Sequence, residues 1–138
     1  MKKILVAYDG SEPAEKAFEL ALDFAQCFHS EIYVLAVVRL PEPSDDIETE
    51  AIMENAREYY EKLFAELRLK SSGQDISLTY ETGVGHPAEQ IVFFAETQNI
   101  DHIVMGHRGK TLFQKWLLGS VAKRVMSYAP CSVTIVRG

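Results

Sequence analysis

The chain has 138 residues, 47% of them hydrophobic, so it is predicted to form one domain, residues 1–138, with a core of its own. Its net charge of −6 is unevenly distributed, because all twenty acids precede residue 102 whereas six of the fourteen Lys and Arg follow it. The acidic surface of the first part disfavours nucleic-acid partners, but the basic last part can attract a compact anion. No apolar run is long enough to cross a bilayer and no signal peptide precedes the first strand, so a cytoplasmic protein without a membrane partner is expected.

The first half of the chain alternates between strand and helix patterns. Residues 3–8 (KILVAY) form a nearly continuous apolar run, which is typical of a central parallel strand covered on both faces. Turn and cap residues at 9–13 (DGSEP) precede apolar residues at helical spacing as far as about residue 29. Residues 31–38 predict a second strand, and a turn-rich PEPSDD segment precedes a second helix over about 47–70. One face of this helix is predicted to carry Ile52, Tyr59, Leu63 and Leu67.

The second half continues the alternation. Residues 75–82 alternate as a third strand, and Gly85-His86-Pro87 opens a third helix. A fourth strand closes at residues 103–106, and a fourth helix is predicted from Ser120 to about residue 129, where Pro130 stops it. Residues 133–136 predict a fifth strand.

This order of elements predicts an α/β fold. Strands joined through helices run parallel with right-handed crossovers, which predicts a doubly wound five-stranded parallel sheet with four helices. The order that we expect for this sheet is 3-2-1-4-5. Such sheets bind ligands beyond the carboxyl ends of the strands, where the winding direction reverses. Here that place lies between strands 1 and 4, which deliver Asp9-Gly10 and Gly106 to it.

The loop after the fourth strand has the composition of a phosphate-binding turn. In GHRGKTLFQKWLLGS, Gly106 and Gly109 lie close together and Gly119-Ser120 opens a helix. Glycines accept positive φ and let N–H groups approach an anion, and a helix N-terminus offers unpaired donors; Ser120 adds a hydroxyl and can cap the helix. The plainer interpretation is that the glycines only turn the chain and that Ser120 is an ordinary cap.

Three other patterns are set aside. Gly109-Lys110-Thr111 resembles the end of a P-loop, but Val104 stands where that motif requires glycine. The segment GVGHPA resembles a dinucleotide fingerprint, but the next strand ends in Met-Gly-His without the acid that would hold a ribose. Cys27 and Cys131 lie in no CxxC pair and near no cluster of histidines, so we expect no structural zinc site and two buried thiols.

The glycine spacing resembles a known signature. Gly106, Gly109, Gly119 and Ser120 match G-x2-G-x9-G-[S/T], the nucleotide-binding signature of ATP-binding universal stress proteins. The segments KILVAYDGSE, IDHIVMGHRG and LLGSVAKRVMSYAPCSVTIVR, together with the Gly85-His86-Pro87 turn, also resemble this family, so the likeness spans nearly the whole chain. One departure is Ala36, where many relatives carry histidine. The resemblance implies an adenine nucleotide alpha-hydrolase-like, Rossmann-like fold and an ATP ligand.

The resemblance also implies roles for individual residues. Asp9 would lie near the ribose and adenine, where its carboxylate could accept hydrogen bonds from ribose hydroxyls or help to place Mg²⁺ or Mn²⁺. The backbone of Val37 would read the adenine edge, and Gly106 would allow close approach to the ribose or α-phosphate. Gly109, Gly119, Ser120 and the Val121 amide would hold the phosphates. The implied cofactor-binding set is Asp9, Val37, Met105, Gly106, Arg108, Gly109, Gly119, Ser120 and Val121, and the candidates for neutralising phosphate charge are Arg108, Lys110, Lys115 and Lys123.

The sequence says less about the activity of the protein than about its ligand. The resemblance implies a homodimer through the edge strand, from Val133 to Val136, and predicts a nucleotide-responsive regulator of the stress response with ATP hydrolysis absent or slow. No G-x-S-x-G elbow and no Cys–His pair nominates a catalytic residue. The alternatives are an ATP hydrolase or phosphotransferase with an unknown acceptor, and an interaction module that does not need nucleotide. The apolar loop residues Leu112, Phe113, Trp116, Leu117 and Leu118 could cover the nucleotide, meet a protein partner or dock on the chain's own core.

Overall fold

A five-stranded parallel sheet forms the centre of the protein, and the computed structural model describes residues 1–39, 46–109 and 118–138 of the chain. The strand order is β3-β2-β1-β4-β5, and all four neighbouring pairs run parallel, which confirms the predicted topology. The strands are β1 (Lys3–Ala7), β2 (Glu31–Val38), β3 (Leu78–Val84), β4 (His102–Gly106) and β5 (Ser132–Val136). The third strand begins and ends later than predicted, because Gly83 and Val84 still pair with the end of β2.

Four helices connect the strands, at the predicted places. They are α1 (Glu12–Phe28), α2 (Asp46–Ser71), α3 (Pro87–Thr97) and α4 (Ser120–Tyr128). Helix α1 begins where the Ser11 hydroxyl accepts a 3.3 Å hydrogen bond from the Ala14 amide, and it ends at His29 in the left-handed conformation (φ 56°). Helix α4 begins at Ser120, as predicted, but the interpretation of Ser120 as its cap does not hold, because Gly119 occupies the cap position.

The helices cover the two faces of the sheet and bury two apolar layers. On one face α1 and α2 contribute Phe18, Phe64 and Leu67, which pack with Ile4 and Val6 of β1. On the other face α3 and α4 contribute Ile91 and Val125, which pack with Leu5 and Ile103. Since alternate residues of β1 enter different layers, the four residues of this central strand that follow Lys3 are all apolar.

Burial differs from the sequence analysis at two places. Of the residues assigned to one face of α2, Leu67 is buried but Tyr59 is 43% exposed, because the stripe that meets the sheet passes through the neighbouring position Tyr60. Cys27 is exposed near the end of α1, and Cys131 is half-buried, so the two thiols are not both core groups. Among the described residues, no helix combines the length and the apolar character that a membrane span requires.

Candidate functional site

A cleft of about 890 Å³ opens at the carboxyl ends of β1, β2 and β4. Ala7 of β1 pairs with Leu35 of β2 on one side and with Met105 of β4 on the other, so the three strand ends lie side by side. Since α1 and α3 leave the sheet on opposite faces, this is the point where the winding direction reverses. The cleft is lined by all nine residues of the predicted cofactor-binding set: Asp9, Val37, Met105, Gly106, Arg108, Gly109, Gly119, Ser120 and Val121.

Two different walls enclose the cleft. The wall that we call the loop side consists of Arg108 and Gly109 after β4 together with residues 118–121 at the start of α4. The opposite wall, the helix side, consists of the end of β2 and one face of α2. The helix-side residues are Val37, Val38, Arg39, Ile52, Asn55, Ala56, Tyr59 and Tyr60.

Asp9 lies where the two walls meet. Its Oδ1 accepts a 2.9 Å hydrogen bond from the Ser11 amide, which fixes the carboxylate in the turn after β1. A Cβ atom on Gly109 would lie 2.9 Å from Asp9 Oδ2, so the carboxylate rests directly against the loop side. Gly10 has a φ of 82° and makes the sharp turn between Asp9 and the start of α1. The acid predicted to face the sugar end therefore also touches the loop predicted to hold phosphates.

Gly106 is required by packing within the protein. A Cβ atom at this position would lie 2.7 Å from Pro13 Cβ and 3.1 Å from the Ala14 amide nitrogen. The absence of a side chain therefore lets the first turn of α1 rest on the end of β4. We predicted that the signature glycines serve through positive φ, and this is wrong for Gly106, Gly109 and Gly119, none of which adopts the left-handed conformation.

Gly119 joins the start of α4 to the loop after β4. Its amide donates a 2.7 Å hydrogen bond to the His107 carbonyl, and a Cβ atom here would lie 3.2 Å from Arg108 Cα. The amides of Ser120 and Val121 belong to the first turn of the helix, where backbone N–H groups have no intrahelical partner. These amides and the positive end of the helix dipole therefore lie at the cleft, an arrangement suited to an anion.

The charges of the cleft are mixed. Among the described lining residues, Arg39 and Arg108 are cationic and Asp9 is the acid. Lys123 is exposed on α4 and does not line the cleft, so the structure does not bring this predicted cation to the site. Lys110, Lys115 and the apolar loop residues at 112–117 lie outside the described residues. No three His, Cys, Asp or Glu side chains form a metal-binding group within residues 1–39, 46–109 and 118–138.

Two tyrosines lie beside Asp9 and remain protonated. Burial raises the pKa of Tyr60, and the negative charge of Asp9 raises it further. Burial also raises the pKa of Tyr8, whose hydroxyl donates a hydrogen bond to Glu15. The other oxygen of Glu15 lies 2.8 Å from Lys70 Nζ at the end of α2. This chain of contacts links α1 to α2 next to the cleft.

Sequence reasoning missed two parts of the site. The first is the α2 face at positions 52, 55, 56 and 59: Ile52 and Tyr59 were assigned only to one face of the helix, and Asn55 and Ala56 were not considered. The second is His107, which is 2% exposed and accepts a 3.0 Å hydrogen bond from Arg108 Nε. The sequence signal that could have identified His107 is its position between Gly106, the last residue of β4, and Arg108 of the predicted phosphate-binding loop.

The protein is a doubly wound α/β sheet, and a glycine-containing loop and a helix N-terminus meet where the winding direction of the sheet reverses. These features define the class of proteins that bind ligands in a crevice beyond the strand ends. Within this class, the chain belongs to the Universal stress protein family, whose sequence model matches residues 1–137.

Similar proteins come from several microbes. A universal stress protein of Methanocaldococcus jannaschii, MJ0531, is 36% identical over 99% of this chain and 82% of its own length. A universal stress protein of Thermus aquaticus is 37% identical over 99% of this chain and 98% of its own. The solved structure of UspA from Lactobacillus plantarum superposes with a TM-score of 0.87 at 26% identity, covering 99% of this chain and 97% of that one.

Two more distant structures contain nucleotides. The universal stress protein of Archaeoglobus fulgidus was solved in complex with dAMP and superposes with a TM-score of 0.72 at 23% identity, covering 99% of this chain and 98% of that one. Another universal stress protein, in complex with cAMP, superposes with a TM-score of 0.66 at 21% identity, covering 98% and 96%. These two likenesses show the shared fold.

Proposed function

We propose that this protein is an ATP-binding universal stress protein that acts as a nucleotide-responsive regulatory homodimer in the cytoplasm, with ATP hydrolysis absent or slow. The observation that carries the proposal is that all nine residues of the predicted set line one cleft at the reversal point of the sheet. A cleft of about 890 Å³ lies within the range of small-molecule sites and leaves ample room for one nucleotide. Residues 1–138 would form one domain around this site.

The two walls suit the two ends of ATP. The helix side is largely apolar and carries Tyr59, Tyr60 and Asn55, which suit a heterocyclic base. The loop side offers the Ser120 and Val121 amides, the Ser120 hydroxyl and the Arg108 guanidinium, which suit phosphates. Asp9 between them would meet the ribose, and Mg²⁺ or Mn²⁺ bound with ATP would find this carboxylate beside the phosphates. Adenine nucleotides in two relatives of the same fold support this ligand class.

The arrangement favours binding over hydrolysis. Phosphoryl transfer needs a group that orients the attacking water in line with the leaving oxygen. Asp9 is the one acid among the described residues that line the cleft, and the Ser11 amide already engages its Oδ1. An ATP hydrolase or phosphotransferase is the second candidate, because Asp9 Oδ2 lies against Gly109 on the loop side. ATP turnover with Mg²⁺ that disappears in Asp9→Ala at unchanged ATP affinity would favour that alternative.

The edge strand β5 supports the dimer part of the proposal. Among the described residues β5 pairs with β4 alone, so its other side presents backbone groups to which a second strand can add. Val133 and Ile135 pack against one apolar layer and Val136 against the other, and all three stay partly exposed. We propose that two copies meet along Val133 to Val136.

The first test is to denature the purified protein and identify any released nucleotide by mass spectrometry. ATP in near-stoichiometric amount supports a tight binder with slow turnover, whereas ADP in its place supports the hydrolase. The emptied protein is then titrated with ATP by calorimetry. Absence of released nucleotide together with absence of binding at millimolar ATP would refute the proposed function and favour an interaction module.

A further inference from the structure

His107 follows β4 directly and is held in place by its backbone. Its amide donates a 2.8 Å hydrogen bond to the Val136 carbonyl at the end of β5, and its carbonyl accepts the 2.7 Å hydrogen bond from the Gly119 amide. The residue is 2% exposed. The backbone of His107 is therefore fixed between the end of β5 and the first turn of α4, and its side chain is enclosed by the protein.

The contacts of the ring select one tautomer. Arg108 Nε is a donor in every protonation state of the protein, and it lies 3.0 Å from His107 Nε2, so Nε2 accepts and carries no proton. The proton of the neutral ring is then on Nδ1, which lies 3.3 Å from the Val136 carbonyl oxygen and can donate to it. The neutral form with its proton on Nδ1 thus suits the contacts with Arg108 and Val136 together.

This contact also restricts Arg108. With Nε directed at His107, the planar guanidinium has one side fixed, and the N–H groups of its two terminal nitrogens are the ones that can reach an anion. Arg108 lines the cleft on the same wall as Gly109 and Gly119. An arginine that is oriented before the ligand arrives loses less conformational freedom on binding than a free surface arginine does.

We propose that His107 is a positioning residue for phosphate binding: its neutral imidazole, anchored on Val136, holds the Arg108 guanidinium towards the phosphates of the bound nucleotide. His107 does not itself touch the ligand. This inference rests on the proposed ATP-binding function and adds to it a buried group that the glycine signature does not contain.

The test compares ATP with adenosine, which lacks the phosphates. His107→Phe removes the acceptor and keeps a planar ring, Arg108→Gln removes the guanidinium, and Arg124→Gln is the charge-matched control because Arg124 pairs with Glu89 at 3.8 Å outside the cleft. His107→Phe should lower ATP affinity about tenfold, the size of one charge-assisted contact, and leave adenosine affinity unchanged. In the Arg108→Gln background it should have no further effect, and Arg124→Gln should bind as the wild type does.

Other outcomes would overturn the proposal. Equal losses for ATP and adenosine would mean that His107 only maintains the fold, and additive losses in the double variant would mean that it acts independently of Arg108. His107→Gln, whose amide oxygen can accept from Arg108, should retain more ATP affinity than His107→Phe does. Should His107→Phe fail to fold, the Arg108 Nε–H resonance of the wild type decides: slow exchange with water supports the contact, and fast exchange in both the free and ATP-bound protein refutes it.

Failure of this inference differs from failure of the proposed function. If the wild type binds ATP and His107→Phe binds it equally well, the positioning role of His107 is refuted and the proposed ATP-binding function stands. If the wild type does not bind ATP, the proposed function falls, and inorganic tripolyphosphate becomes the probe. Tripolyphosphate binding that depends on both Arg108 and His107 would still support the positioning role, whereas absence of such binding would overturn it as well.

Discussion

The two walls of the cleft are built from different parts of the chain. The loop side consists mainly of closely packed backbone: the Gly119 amide donates a 2.7 Å hydrogen bond to the His107 carbonyl, and Gly109 packs against the Asp9 carboxylate. The helix side consists of side chains that α2 extends over the end of β2, and Tyr59 there is 43% exposed. Backbone packed as closely as at Gly119, where an added Cβ atom would lie 3.2 Å from Arg108 Cα, yields little to a larger side chain, whereas a wall of side chains accepts substitution with a graded loss. Changes on the loop side should therefore be severe and specific to phosphate, and those on the helix side should be mild and affect the whole ligand.

The largest effect is expected for Gly119→Val. A Cβ atom at 119 already lies 3.2 Å from Arg108 Cα and 3.3 Å from the His107 carbonyl oxygen, so the branched side chain must push α4 and the loop apart. ATP affinity should fall about 100-fold or more, equivalent to roughly 2.7 kcal/mol, in a calorimetric titration. Circular dichroism and the sedimented mass should match the wild type. Equal ATP affinity in the folded variant would contradict the assignment of phosphate to the loop side.

Gly106→Ala should act on stability. Its new methyl group would lie 2.7 Å from Pro13 Cβ and 3.0 Å from the Pro13 carbonyl carbon, and the backbone of α1 cannot easily move away. We expect a loss of about 1–3 kcal/mol in the free energy of unfolding, measured by urea denaturation. Gly83→Ala is the matched control, because a Cβ atom there meets Gln90 and Leu35 at ordinary distances of 3.6 and 3.7 Å. Similar stability of the two variants would show that Gly106 is not needed for packing.

Asp9→Asn tests the point where the walls meet. The substitution keeps the shape and an acceptor for the Ser11 amide but removes the charge next to Gly109. ATP affinity should weaken by about 1 kcal/mol, the value of one charge-assisted hydrogen bond to the ribose. Adenosine should weaken by the same factor, since it keeps the ribose. A gain in ATP affinity without divalent metal would instead indicate that Asp9 mainly repels the phosphates.

Tyr59→Ala should have the smallest effect and sharpen the contrast between the walls. The side chain lines the helix side but lies outside the buried stripe of α2, so its loss should not unfold the protein. We expect ATP and adenosine affinities to fall together by about 0.5 kcal/mol, the lower end of the range for an aromatic contact, because the side chain is partly exposed. The control is Leu69→Ala, which truncates a 76% exposed side chain of the same helix away from the cleft. A loss for ATP alone would place the phosphates on the helix side.

The same contrast explains how much could be predicted from the sequence. The parallel sheet follows from the alternation of strand and helix patterns. In the order 3-2-1-4-5, one of the common doubly wound orders, adjacent strand ends bring Asp9, Val37 and Gly106 together without any knowledge of side-chain contacts. Contacts between distant segments were not predictable in this way. The fit of Pro13 on Gly106 and the burial of His107 depend on how closely α1 and β5 approach the end of β4. Asn55 and Tyr59 were missed because helical periodicity does not say where the sheet ends beneath α2.

The central claim is that phosphates lie on the loop side and the base on the helix side of one cleft. An amide-resolved NMR titration of the emptied protein, first with adenosine and then with ATP, tests it most directly. The account predicts that the Val37 amide shifts with both ligands, whereas the amides of Gly109, Ser120 and Val121 shift further only with ATP. Shifts at Ser120 and Val121 that are equal for adenosine and ATP, or ATP shifts confined to α2, would contradict it.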